Sequence, residues 1–177
     1  MDFAASLAAV EGRIAVACSL SGRSRDEVLL VAVSKEQPDE GVRALHALGV
    51  RDFGENKVQA LAARMTRLAD LADVRWHLIG PLQTNKAKDV AALAGRGLAL
   101  VQTVDRWGLV EALAKRLSRD AGAPLDVLVQ VDIDREPQKA GVEVAELPAL
   151  LDALARTQSL RMRGLMAIPR ALDAVAD

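Results

Sequence analysis

Lys35 closes the run "LLVAVSK", in which four of the five residues before Ser34 are Leu or Val. A lysine brought to the end of an apolar strand is suited to amine chemistry. Partial desolvation favours the free amine, which can attack a carbonyl and form a Schiff base. The ordinary alternative is a solvated lysine that begins a loop, and the other run ends weigh against it. "FGEN" (53–56) sets Glu55 and Asn56 behind a glycine that permits close approach of backbone or ligand. "HLIGPLQTNK" (77–86) ends in Gly80 and Pro81, followed by Gln83, Asn85 and Lys86, while Asp105, Asp132 and Asp134 close later runs. Several of these residues fit two roles. Asn56 suits a hydrogen bond to a bound ring or a cap on the next helix. His77 suits proton transfer or a structural hydrogen bond. Met166 suits the lining beneath a ligand or ordinary core packing.

Six apolar runs deliver these residues: "VLLVAVS" (28–34), "VRDFGEN" (50–56), "VRWHLIG" (74–80), "LALVQTV" (98–104), "LDVLVQVDI" (125–133) and "MRGLMAI" (162–168). Segments of helical spacing lie between them, such as Val42, Leu45 and Leu48, or Val58, Leu61, Met65 and Leu68. Residues 2–20 form a further helix before the first strand, with Cys18 as a buried, inert thiol. Strands alternating with amphipathic helices predict a parallel sheet covered by helices. A doubly wound sheet and a (β/α) barrel both have that rhythm. The phosphate-binding glycine fingerprints of the doubly wound class are missing, and polar residues gather at strand carboxyl ends, where a barrel builds its active face. The barrel is therefore preferred. Alternation then puts Leu29, Val31, Val33 and Lys35 on its interior face, the amine at the mouth. His77 alternates with Arg75 and Ile79, opposite Trp76 and Leu78. His46 falls within a helix, and residues 134–142 form a polar loop suited to a lid.

Composition bounds the function. A chain of 177 residues, 51% apolar and 27% charged, fits one globular domain. The formal net charge of −1 offers no basic field for nucleic acid. The amino terminus has no basic region leading into an uninterrupted apolar stretch, and no run of about 18 uncharged apolar residues predicts a membrane span. The expected compartment is the cytoplasm.

"AVSK", "FGEN", "WHLIGPLQTNK", "EPQKAG" and "RGLMAIP", in this order and spacing, resemble the pyridoxal phosphate homeostasis protein family. That family is a single-domain relative of the amino-terminal barrel of alanine racemase. The resemblance runs from Leu29 to Pro169 and implies a (β/α) TIM-type barrel carrying pyridoxal 5′-phosphate (PLP) as a Schiff base on Lys35. It implies a part in PLP homeostasis without established catalytic turnover; Asn56, His77 and Met166 are the further candidates for contact with the cofactor. Two positions depart from the family pattern: Lys57 stands where an aromatic is usual, and Asp132 where an Asn follows "VQV". By the same resemblance, domain 1–177 holds about six of eight strands, and the phosphate anchors belong to the last two. An open sheet predicts self-association through its edge strands. Two other functions stay in view. A PLP-dependent racemase needs a proton donor on each face of the cofactor, and this chain has no tyrosine. A cofactor-free aldolase would use Lys35 on a carbonyl substrate directly.

Overall fold

The computed structural model describes residues 2–117, 123–134 and 140–169. Six parallel strands join in chain order: β1 (Ala32–Val33), β2 (Asp52–Glu55), β3 (Arg75–Leu78), β4 (Leu98–Val104), β5 (Leu125–Asp132) and β7 (Leu160–Met166). A two-residue strand, β6 (Val142–Glu143), pairs with Val131 and Asp132 at the end of β5. The strand order never reverses. A doubly wound sheet has a switch point, whereas strands added always to the same edge follow barrel topology. Among the described residues the sheet is open, with β1 paired only to β2 and β7 only to β5.

Helices α1 (Phe3–Leu20), α2 (Asp39–Ala47), α3 (Val58–Arg67), α4 (Ala87–Ala91), α5 (Trp107–Arg116) and α6 (Leu147–Ala155) occupy the segments between. Local chemistry sets their ends. Asp39 and Glu40 lie in the first turn of α2 and His46 in its last, each matching the helix dipole. Pro148 sits in the first turn of α6, where its missing N–H costs nothing. The apolar stripes predicted for α2 and α3 are buried at Val42, Val58, Leu61 and Leu68. Leu48 departs from its stripe and is exposed. It follows the last turn of α2, where the chain already swings toward Gly49 at φ 98°.

The core lies between these helices and the outer face of the sheet. Phe53, Leu78, Val101 and Val127 meet Leu61, Val90, Leu109 and Leu150 there, all buried. The Phe53 and Trp76 rings are tilted by 43° with centroids 5.8 Å apart, a favourable aromatic contact. The first strand is shorter than its apolar run, because only Ala32 and Val33 find ladder partners in Phe53 and Gly54. Upstream, Arg25 hydrogen-bonds the Val28 carbonyl and both carboxylate oxygens of Glu11, tying that stretch to α1 instead.

Helix α1 carries the expected buried Cys18 and no other buried residue. It is long and apolar enough to cross a membrane by length and composition alone. The Glu11–Arg25 pair and the Phe3 ring, which a Cβ at Gly41 would approach to 3.3 Å, join it to the rest of the chain.

Candidate functional site

Strand register arranges the inner face in levels. Val33, Gly54 and His77 share one, since Val33 pairs with Gly54 and Gly54 with His77. Two residues further along, just past the last paired positions, Lys35, Asn56 and Ile79 follow at the carboxyl ends of the three strands. Lys35 is exposed and Asn56 half-buried. The apolar residues beneath Lys35 are more open than alternation predicted, with Leu29 59% and Val33 49% exposed. The layers beneath it are open because β1 is an edge strand, paired among the described residues only to β2.

The residues around Lys35 fix its backbone. Ser34 to Gln37 form a turn in which the Gln37 amide donates to the Ser34 carbonyl at 3.1 Å. Lys35 is its second residue and Glu36 its third, with φ at 60°. Glycine or asparagine usually fills such a position, and a longer side chain there costs about 1–2 kcal/mol. On the outer face, the Ser34 hydroxyl donates to Glu55 Oε1 at 2.9 Å. Arg64 of α3 donates from one terminal nitrogen to the carbonyls of Ser34, at 3.1 Å, and Gln37, at 2.8 Å. Its other terminal nitrogen donates to Asp39 at 2.9 Å. Its Nε stands 2.7 Å from Glu55 Oε1, an ion pair without hydrogen-bond alignment. Arg64 and Glu55 are both buried. A hydrogen bond from Arg67 lowers the Asp39 carboxyl below its ordinary value, although burial opposes this.

His77 is buried, and both ring nitrogens are engaged. Nε2 is 3.0 Å from Asp52 Oδ1, and Nδ1 is 3.0 Å from the Gln102 amide nitrogen. These partners require the neutral tautomer in which Nε2 donates to Asp52 and Nδ1 accepts from Gln102. Arg75 also donates to Asp52. Burial alone pushes the Asp52 carboxyl up, and the hydrogen bonds from Arg75 and His77 outweigh it, so the group lies below the usual carboxylate range. The result is a polar layer across β2, β3 and β4, below the level of Lys35.

Asn56 does not cap the following helix, whose first flanking residue is Lys57. Its side-chain amide has no hydrogen-bond partner among the described residues. Its carbonyl lies against Gly80, where a Cβ would come within 2.2 Å of it; this close approach explains the glycine of "LIGP". Arg106 secures the loop that follows, donating to the Leu82 carbonyl at 2.8 Å. Asn85 is exposed and Lys86 pairs with Asp89 at 3.8 Å. Met166, half-buried, lies on β7 at the opposite edge of the sheet, in register with Gln130 of β5, so adjacent strands do not bring it beside Lys35. Gln130 is itself buried and donates to the Ala140 carbonyl at 2.7 Å. Residues 135–139 of the predicted lid lie outside the described residues. His46, half-buried, pairs with Asp73 at 2.6 Å, as helix packing at the surface predicts.

Arg64 was not legible in the sequence. It sits in "VQALAARMTR" as one of several polar residues, and only the buried carboxylate of Glu55 gives it a reason to turn inward. The available signal was Glu55, one of two carboxylates in the short strand "DFGE".

Parallel strands added in chain order and covered by helices, with an exposed lysine just past the first of them, define an α/β protein of barrel-type topology. The profile of the alanine racemase N-terminal domain matches residues 6–177. The pyridoxal phosphate homeostasis protein of Pseudomonas aeruginosa is 42% identical over 167 residues, covering 94% of this chain and 70% of that protein. Its Escherichia coli counterpart is 39% identical over 173 residues, covering 95% and 70%. PipY of Synechococcus elongatus, in a structure with PLP bound, is 36% identical with a TM-score of 0.74, covering 91% and 73%. The chain belongs to the pyridoxal phosphate homeostasis protein family, built on the alanine racemase N-terminal domain.

Proposed function

We propose that this chain binds PLP covalently through Lys35 and serves PLP homeostasis in the cytoplasm, without catalytic turnover. The observation that carries this reading is the exposed Lys35 amine on a clamped turn at the strand ends, in a chain 36% identical to a PLP-bound relative. The residues present fit the covalent part of such a site. Lys35 supplies the amine, the uncommitted amide of Asn56 follows the adjacent strand, and the half-open face of Val33 offers apolar surface for a flat ring. Met166 lines the far side of the mouth. His77, with both nitrogens engaged, supports the floor through Asp52 and Gln102 rather than donating upward. When bound, PLP supplies an aldehyde that condenses with an amine, the new carbon–nitrogen bond replacing a carbonyl oxygen that leaves as water. For that, Lys35 must present an unprotonated nitrogen, and its neighbours must hold it near one place.

The racemase reading requires an acid on the opposite face, and this chain offers no tyrosine for it. Titration with PLP should give a saturable visible absorbance change that Lys35→Ala abolishes, with racemisation of L-alanine no faster than free PLP produces. Turnover well above that background, lost in Lys35→Ala, would favour the enzyme.

A further inference from the structure

We propose that Arg64 is a positioning residue for Lys35, acting from the outer face of the sheet to hold the Ser34–Gln37 turn that carries the amine. The inference rests on the reading of Lys35 as the PLP-holding residue and assigns a partner to it. Three observations converge. Arg64 spends one terminal nitrogen on the two carbonyls that bracket the turn, at 3.1 Å to Ser34 and 2.8 Å to Gln37. Glu36, next to Lys35, is the one non-glycine residue with positive φ among those described. Strain of that kind persists only where surrounding structure holds it, and it gathers at functional sites. Finally, Arg64 and Glu55 are 6% and 2% exposed, a placement that costs desolvation on both partners and is weak support for stability by itself.

Neutralising Glu55 and Asp39 needs only a cation. Fastening both carbonyls as well needs the planar fork of a guanidinium, which a lysine does not reproduce. The Ser34 hydroxyl on Glu55 fixes the same turn from its first residue. Lys35 thus leaves the sheet on a backbone held at both ends, and its amine searches a smaller volume above Val33 and Asn56. Preorganisation of this sort favours binding by lowering the ordering cost.

The test separates charge from geometry. Arg64→Lys keeps the buried cation and loses the fork, while Asp39→Asn loosens the fork from outside. Both should stay folded, melting below the parent protein, since each gives up part of a buried hydrogen-bonded ion pair. The Kd for PLP, read by visible absorbance, should rise about tenfold in Arg64→Lys and about two- to threefold in Asp39→Asn. Without PLP, trypsin should cut the Lys35–Glu36 bond several-fold faster in both variants. A folded Arg64→Lys with affinity and cleavage rate within about twofold of the parent would overturn the proposal. Weaker binding without faster cleavage would overturn it too, since the effect would not pass through the turn. Should Arg64→Lys fail to fold, Asp39→Asn decides by the same measurements. If the parent chain carries no PLP on Lys35, the reading of Lys35 falls instead, and the cleavage rates still report whether Arg64 holds the turn.

Discussion

At Asp52, burial and pairing act in opposite directions and pairing wins, which makes the residue a source of pH-dependent stability. A carboxyl whose value is lowered on folding contributes stability above its unfolded value and loses it as the pH falls through the folded one. Asp52 is lowered by Arg75 and His77 against its own burial; Asp39, Asp70 and Asp73 are lowered chiefly by hydrogen bonds from Arg67, Arg43 and His46. These groups should therefore leave stability nearly constant from pH 5 to 7 and weaken it below about pH 4. Asp52→Asn removes a buried, charge-assisted partner and should cost about 1–3 kcal/mol at pH 7. Urea unfolding at pH 7 and pH 3 checks this, because the gap between parent and variant should shrink at the lower pH. An equal gap at both would mean that the charge of Asp52 contributes little. The position of Lys35 at the end of the first strand was legible from its apolar run. The His77 partners were not, because Asp52 and Gln102 each lie 25 residues away in sequence and only strand register joins them.

Elements were the most legible scale, since period-two runs and helical stripes each follow from one backbone geometry. The strands missed or misjudged share a cause in pairing. β6 has two residues and exists because β5 extends far enough to pair with it. The first apolar run yields a two-residue β1 because Arg25 draws Val28 toward α1. The contact between the ends of β2 and β3 makes a sharper prediction. A Cβ at Gly80 would stand 2.2 Å from the Asn56 carbonyl oxygen, so Gly80→Ala must move one strand end. It should cost at least about 2 kcal/mol by urea unfolding and weaken PLP binding, because Asn56 follows the strand next to that of Lys35. Gly108 in α5 meets nothing within 4 Å, and Gly108→Ala should instead stabilise by about 0.5–1 kcal/mol. A neutral result at Gly80 would show that the strand ends yield more easily than their packing implies.

For the whole molecule, the consequence of an open sheet is exposed apolar surface along its edges. Leu29 and Val33 on the β1 side, and Leu165 at 55% exposure with Ile168 on and beyond β7, stand clear of the core. Among the described residues, β1 and β7 each have a strand neighbour on one side only, and such an edge is a template for another strand. We expect the 177-residue chain to self-associate, with light scattering rising with concentration. Leu29→Lys with Leu165→Lys should reduce that association, because edge charges oppose strand addition. A monodisperse monomer at high concentration would mean that the edges are covered. The strand order was legible as a barrel-type rhythm, but no sequence pattern states how far a sheet curls.

The central claim is that one lysine, Lys35, holds PLP. Incubation with PLP, borohydride reduction, digestion and mass spectrometry of the modified peptide tests it most directly. Label is expected on Lys35, in the peptide that contains "LLVAVSK", and none at that peptide's position in Lys35→Ala. Label chiefly on Lys57, Lys86 or another lysine, unaffected by Lys35→Ala, would contradict it.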